Sequence, residues 1–260
     1  MIRRILMSAV VFSAATFGSA HAATMYVSDS DGGIGTIDTV TGLATYIGVT
    51  GTVLTDIAFD TTGNLFGVDF TSFYSVDTTT GRATRIGDHG VTGANALVFG
   101  DDGTLYAAGQ ARLFTIDTAT GAGNYLGNSG FSSGGDLAFS TAGDLYLASS
   151  YNQLVKLDLN DLWNGSSVVG DLGVSNMYGL ATGPDGAMYG VAGDMIYTID
   201  LATGVASNGV RSSVPGITAY GQAFYTEAGA PPVNAVPLPA SGLLLVGGLA
   251  TIGALRRRRA

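Results

Sequence analysis

A unit of four short strands that recurs about every 40 residues constrains this chain more than any other feature of its sequence. Its clearest copy lies at 96–130, where four apolar runs alternate with turns rich in Asp, Gly and Thr. An apolar residue followed by Asp ends the third run of every copy, at successive spacings of 39, 40, 41 and 42 residues: Asp38, Asp77, Asp117, Asp158 and Asp200. Short runs with hairpin-length turns indicate antiparallel strands, and no stretch of the repeat has helical periodicity. The repeat therefore predicts an all-β fold, a β-propeller of four-stranded blades.

The two ends of the repeat array predict how the propeller closes. The first copy begins at Met25-Tyr26-Val27, which matches a second strand, so its own first strand is missing. The last copy, at 220–224, is a first strand with no further strands after it. Pairing the C-terminal strand with the N-terminal three gives five blades and removes the open edges of a linear array. We expect this five-bladed domain to span 23–228.

Both termini outside the repeats match targeting segments. Residues 1–22 have a positive start, an apolar stretch and a small-x-small cleavage site at Ala20 and Ala22, as in a secretory signal peptide. At the other end, a Pro-containing linker at 229–240 leads into 241–260, which holds an apolar run and four arginines. Counted from Val236, the apolar stretch has the length of a bilayer-spanning helix. We expect helices in both segments, with the propeller outside the membrane and the arginines inside.

The C-terminal segment resembles a known sorting signal. Its three parts are a short Pro-containing motif, an apolar helix and a basic tail, and the motif residues are Val236, Pro237, Leu238, Pro239 and Ala240. In this order they resemble the PEP-CTERM family, in the variant named for VPLPA. The resemblance implies processing by an exosortase in a Gram-negative bacterium, transient anchoring in the inner membrane, and a final place on the cell surface or in the extracellular matrix, often beside exopolysaccharide. An ordinary C-terminal membrane anchor would have the same topology.

The repeats themselves resemble the NHL and SMP-30-like propeller families more loosely. The rhythm G-L-A-F-D-x-x-G-x-L-Y is best kept at 56–66 and 136–146. Enzymes and binding proteins share it, so this resemblance implies a fold and no activity.

Composition argues against most catalytic sites. The chain has no cysteine, and His89 is the only histidine after residue 22, which excludes a His-rich metal site and a Cys–His pair. Glu227, the only glutamate, follows the closing strand, so a glycosidase pair would have to recruit it from the rim. Between Asp29 and Glu227 the chain carries twenty acidic and five basic residues, a formal charge of −15 that repels nucleic acid.

A few residues stand out as candidate ligand contacts. Asp56 and Asp136 occupy equivalent places in two first strands, so they could face each other across the channel and hold Ca²⁺, or instead bind neighbouring backbone amides. Asp29 and Asp31 resemble the start of a calcium loop that lacks its glutamate, and turn formation is the alternative. Trp163, the only tryptophan, lies in an irregular turn of the fourth blade and could contact a sugar or a partner, or fold back with Leu162 as a cap.

Two functions are consistent with these features. The first is a non-enzymatic binding or matrix component without a cofactor, directed towards polysaccharide or surface proteins. The second is a metal-dependent hydrolase or lactonase that uses Asp56 and Asp136. The sorting signal and the scarcity of catalytic residue types favour the first.

Overall fold

Twenty strands make up the structure, a computed structural model that describes residues 23–213 and 218–229. In chain order they are β1 (Thr24–Asp29), β2 (Gly33–Asp38), β3 (Ala44–Val49), β4 (Asp56–Phe59), β5 (Leu65–Val68), β6 (Ser72–Val76), β7 (Ala83–Asp88), β8 (Ala94–Phe99), β9 (Leu105–Gly109), β10 (Arg112–Ile116), β11 (Gly123–Asn128), β12 (Ser133–Phe139), β13 (Leu145–Ser149), β14 (Gln153–Leu157), β15 (Ser167–Asp171), β16 (Met177–Thr182), β17 (Met188–Ala192), β18 (Met195–Ile199), β19 (Ala206–Arg211) and β20 (Ala219–Phe224). None of these residues forms a helix that could span a membrane. The signal peptide and the VPLPA segment lie outside the described residues.

The strands form five antiparallel sheets of four, which confirms the predicted five-bladed propeller. Blades 2 to 5 are each built from four consecutive strands, beginning with β4, β8, β12 and β16. Blade 1 has the order β20-β1-β2-β3, with Met25 opposite Phe224 and Tyr26 opposite Ala223. The innermost strands contact one another in a closed ring around the axis, in the order β20, β4, β8, β12, β16 and back to β20. The C-terminal strand therefore completes the N-terminal blade, as the missing first strand predicts.

A separate apolar core fills each interface between neighbouring blades. Between blades 2 and 3, for example, Phe73 of β6 packs in the same cluster as Leu97 and Phe99 of β8. Equivalent clusters join blades 1 and 2, 3 and 4, 4 and 5, and 5 and 1. Burial of one such side chain stabilises the fold by about 1.5–3 kcal/mol. Because every blade shares its faces with two neighbours, none of them has a complete core by itself.

The repeated aspartates close the turn between the third and fourth strands of each blade. In blade 2, Oδ1 of Asp77 accepts hydrogen bonds from the backbone amides of Thr79 (2.8 Å) and Thr80 (3.0 Å). Asp38, Asp117 and Asp200 make the same pair of bonds in their own turns. Their carboxylates satisfy backbone donors that the turn would otherwise leave unpaired.

The glycine that ends this turn packs against the preceding blade. Gly81 of blade 2 approaches the backbone of Gly48 in β3, and Gly121 and Gly204 approach Gly87 and Gly170 in the same way. We call these three contacts the perimeter joints. Because each joint brings two backbones together, it leaves no room for a side chain.

Substitution of Gly81 tests the contribution of a perimeter joint. An alanine Cβ there would lie 2.7 Å from Cγ2 of Ile34 and 2.9 Å from Cα of Gly48, at a φ of +77°. We expect Gly81→Ala to lower the free energy of unfolding by about 2–4 kcal/mol, from left-handed backbone strain and overpacking together. Gly103 is the matched control, because its φ is +82° and nothing lies within 4 Å of the added Cβ. Gly103→Ala should lower the free energy of unfolding by only about 1–2 kcal/mol, from backbone strain alone. Equal losses for the two variants in urea unfolding would show that the close contact at Gly81 adds nothing.

Candidate functional site

Two buried aspartates meet at the axis of the propeller. Asp56 begins β4 and Asp136 lies in β12, and neither has any exposed surface. Oδ1 of each accepts the amide of the next residue, Ile57 at 2.7 Å and Leu137 at 2.6 Å. Oδ2 of each reaches the next blade: that of Asp56 accepts the amide of Leu97 at 2.5 Å, and that of Asp136 the amide of Leu180 at 2.6 Å. Both aspartates therefore bind neighbouring backbone amides and tie blade 2 to 3 and blade 4 to 5.

The two carboxyl groups also influence each other's ionisation. Burial raises the pKa of Asp136 well above its ordinary value of 3.8, and the nearby Asp56 charge raises it further. Burial likewise raises the pKa of Asp56, while the hydrogen bond from Asp136 and those from the two amides act in the opposite direction. Besides burial, a negative charge on one group opposes ionisation of the other, so the pKa values of both lie above the ordinary value in the folded protein.

Glu227 adds a third carboxyl group at this end of the chain, half-buried, which the sequence placed at the rim. Its chain position, three residues after β20, gave no sign of burial, but a turn closed by the Glu227 amide donating to the Phe224 carbonyl (3.0 Å) brings it inward. Oε1 accepts the amide of Thr182 at 3.2 Å. Burial raises the pKa of Glu227 well above 4.5, and the charge of Asp136 adds to the effect. Glu227 lines a cavity of about 730 Å³ at the lower end of the channel, where the inner strands finish.

The remaining sequence candidates lie away from the axis. Asp29 accepts the amides of Asp31 (2.8 Å) and Gly33 (2.7 Å), an arrangement that closes the β1–β2 turn. Leu162 is buried between blades 3 and 4, whereas Trp163 is 65% exposed and lines neither channel cavity. Among the described residues, no three His, Cys, Asp or Glu side chains are grouped so that they could hold a metal ion.

His89 is buried and fully paired. The amide of Val91 donates to its Nδ1 (3.0 Å), so Nδ1 is the acceptor and Nε2 carries the proton, which it donates to the carbonyl of Asp69 (3.1 Å). Burial lowers the pKa of His89 below its ordinary value of 6.5. The ring is therefore neutral and joins a loop to the neighbouring turn, a structural role.

At the upper end of the channel, β-bulges aim side chains into an open cavity. Where the inner strands begin, four of the five have extra residues relative to the paired strand: Asn95 in β8, Gly134 and Gly135 in β12, Tyr178 in β16, and Tyr220 with Gly221 in β20. A bulge interrupts the alternation of side chains and redirects the extra residue. All of these except Gly221 line the same cavity.

We call this space the mouth cavity. It measures about 420 Å³ and receives residues from all five blades; its lining is Ser30, Val53, Thr55, Phe70, Asn95, Gly134, Gly135, Tyr178 and Tyr220. Phe70 stands 60% exposed on the β5–β6 turn, and the rings of Tyr178 and Tyr220 meet edge to face with centroids 5.9 Å apart. Sequence reasoning missed this site, although the residues just before the five aligned channel positions, Thr55, Asn95, Gly135, Tyr178 and Tyr220, would have identified it.

The two features differ in what they can do chemically. The oxygens of Asp56 and Asp136 are occupied by backbone amides, as in a structural bridge. The mouth cavity is open, is within the size range of small-molecule sites, and combines aromatic rings with a few polar groups. Its composition suits binding.

Comparison with solved structures supports the fold alone. A chain of a crystallised nidogen/laminin complex superposes with a TM-score of 0.57 at 12% identity, over 77% of this chain and 97% of that one. A protein from a study of the de novo evolutionary emergence of a symmetrical protein gives a TM-score of 0.51 at 20% identity, over 79% and 95%. No protein-family model matches the chain, and no curated protein matches it at a significant level.

Proposed function

We propose that this chain is an exported, surface-located β-propeller that acts as a binding or structural module and not as an enzyme. The observation that carries the proposal is the contrast between the paired aspartates at the axis and the open mouth cavity. Every carboxylate oxygen of Asp56 and Asp136 accepts a backbone amide, whereas the mouth cavity presents half-exposed aromatic rings without an ionisable partner for catalysis. Binding needs shape and a few polar contacts, and a reaction needs a free acid, base or nucleophile as well.

The cellular location in this proposal is inferred from the two terminal segments. The signal peptide with Ala20 and Ala22 supports export, and the VPLPA motif, apolar run and arginines support processing by an exosortase. The partners are therefore the exosortase, the inner membrane before processing, and polysaccharide or proteins of the cell surface afterwards. The net negative charge of the propeller supports a place away from nucleic acid.

The competing function, a metal-dependent hydrolase or lactonase, would place a cation between Asp56 and Asp136. Those carboxyl groups would then have to exchange blade-to-blade amide hydrogen bonds for metal coordination. Nothing in the geometry favours replacement of these hydrogen bonds by metal coordination. The metal content of the parent chain and of Asp136→Ala tests the point directly.

The sorting motif can be tested in a Gram-negative host that has an exosortase. We expect the double variant Pro237→Ala/Pro239→Ala to stay in the inner membrane unprocessed, because the motif that the enzyme would read is gone. The full chain should instead be recovered from the cell surface with a mass that lacks the apolar run and the arginines. Surface recovery and intact mass are the measurements.

A matched pair of prolines in the same linker provides the control. Pro231→Ala/Pro232→Ala changes two prolines outside the motif, and this variant should be processed like the parent chain. Unaltered processing of the Pro237/Pro239 variant would contradict the exosortase assignment. A parent chain that keeps its apolar run and arginines would also contradict it and would leave an ordinary membrane anchor.

A further inference from the structure

The lining of the mouth cavity includes aromatic rings from three consecutive blades of the ring. Phe70 comes from blade 2, whereas Tyr178 and Tyr220 come from blades 5 and 1. Neither tyrosine hydroxyl makes a hydrogen bond within the described part of the chain. Rings that expose a face and a polar edge stack on the apolar face of a ligand while they hydrogen-bond its rim. The ligand that fits is flat-sided and carries hydroxyl groups.

An unpaired acceptor lies beside these rings. The Oδ1 atom of Asn95 is buried without a hydrogen-bond partner among the described residues, and its Nδ2 makes only a long contact of 3.5 Å with the Ser133 carbonyl. Buried polar groups are almost always paired, so an orphaned one in a cavity wall points to a missing partner. Oδ1 itself is shielded from the cavity, but Asn95 as a whole is only half-buried, so a turn of the side chain would let a ligand hydroxyl group donate to Oδ1.

Charge limits the class of ligand further. None of the nine lining residues carries a formal charge, so the cavity offers no cation to an acidic ligand. The whole propeller carries a formal charge of −15 if all its carboxyl groups are ionised, which repels polyanions. The ligand is therefore neutral.

Shape separates a glycan from a peptide. Extended peptides bind along sheet edges or in open grooves. The mouth cavity is a cup around the axis to which all five blades contribute residues. Each inner strand already contacts the inner strands of the two neighbouring blades, so none is free to pair with a peptide. The end of a chain enters a cup more readily than its middle.

We propose that the mouth cavity binds the terminal residue of a neutral glycan. The sugar ring stacks on Phe70, Tyr178 or Tyr220, and a sugar hydroxyl group donates a hydrogen bond to Oδ1 of Asn95 once that side chain turns towards the cavity. This inference rests on the proposed function and names the ligand class of the binding module. The exosortase motif has no part in it, so the two can fail separately.

Calorimetric titration of the full chain tests the site, in a detergent whose headgroup contains no sugar. The probes are cello-, manno- and laminari-oligosaccharides, an oligogalacturonate, and a Pro-rich peptide. We expect at least one neutral oligosaccharide to bind with one site per chain. Phe70→Ala should weaken that binding by about tenfold or more, because an aromatic ring in a small site carries much of the affinity.

Two control variants are informative. One removes an exposed ring outside the cavity, and the other removes a hydroxyl group inside the cavity but keeps its ring. Tyr151, 77% exposed on the equivalent turn of blade 4, does not line the cavity, so Tyr151→Ala should bind like the parent chain. Tyr178→Phe keeps the stacking ring and should retain most of the affinity.

Several results would overturn the inference. They are no binding of any neutral oligosaccharide, equal binding of the oligogalacturonate, binding of the Pro-rich peptide alone, or full affinity in Phe70→Ala. A chain that is sorted to the surface but binds no glycan would refute this inference and leave the proposed function standing.

Discussion

Replacement of Asp136 by alanine is expected to lower the free energy of unfolding by about 3–5 kcal/mol. The change removes the acceptor of two buried amides, Leu137 and Leu180, and the second of these bonds joins blade 4 to blade 5. An unpaired buried amide costs about 1–3 kcal/mol, and the vacated volume adds to the loss. Urea unfolding of the full chain, followed by far-ultraviolet circular dichroism, measures the change.

Two further variants define the cause. Asp136→Asn keeps the size of the side chain and one carbonyl acceptor, so its loss should be about half that of Asp136→Ala. Asp144→Ala removes an exposed carboxylate paired with Lys156 (2.8 Å) and should change the stability by less than about 1 kcal/mol. A bound stoichiometric metal that is lost together with a catalytic activity in Asp136→Ala would contradict the bridge and support the metal-dependent enzyme.

The stability of the propeller is expected to fall as the pH rises above the ordinary pKa values of its three axial carboxyl groups. Burial raises the pKa of Asp56, Asp136 and Glu227 in the folded protein, whereas the unfolded chain has ordinary values of 3.8 and 4.5. Above those ordinary values the folded state binds more protons than the unfolded state, so unfolding becomes easier with each rise in pH. The loss continues until the raised pKa values have been passed.

Glu227→Gln isolates one part of this slope. Glutamine keeps the oxygen that accepts the Thr182 amide but cannot ionise. The variant should therefore lose less stability than the parent chain as the pH rises above the ordinary value of 4.5 towards the raised pKa of Glu227. His89 acts in the opposite sense: its lowered pKa means that stability is lost as the pH falls below 6.5. If the free energy of unfolding changed with pH in the same way for the parent chain and Glu227→Gln, the raised pKa of Glu227 would be contradicted.

The architecture could be predicted because the repeat carries it in nearly every copy. The period, the missing first strand and the surplus last strand together predicted five blades closed through blade 1, and the structure confirms this. Alignment of the first strands also placed Asp56 and Asp136 at equivalent positions, and both lie at the axis. Alignment of the repeats shows which residues are equivalent, and closure of the ring brings equivalent residues of the inner strands together around the axis.

Side-chain direction at irregular points could not be predicted in the same way. Tyr178 and Tyr220 enter the mouth cavity because of bulges, and a bulge changes the strand alternation without changing the apolar pattern. Glu227 follows the last repeat, where no other copy exists for comparison, so its place at the lower end of the channel depends on tertiary contacts alone. Phe70 lies in a turn whose length and composition differ between blades.

The shared construction of blade 1 also sets the order of events during synthesis. Strand β1 emerges first and has no inner partner until β20 follows nearly 200 residues later, with Met25 opposite Phe224. Four blades can therefore assemble while the edge of β1 is still unpaired, and an unpaired edge favours pairing with another chain. The ring can close only after the chain has been synthesised as far as Phe224, because β20 is the strand that pairs with β1. Chains that stop earlier should be open-edged, prone to aggregation and exposed to proteases.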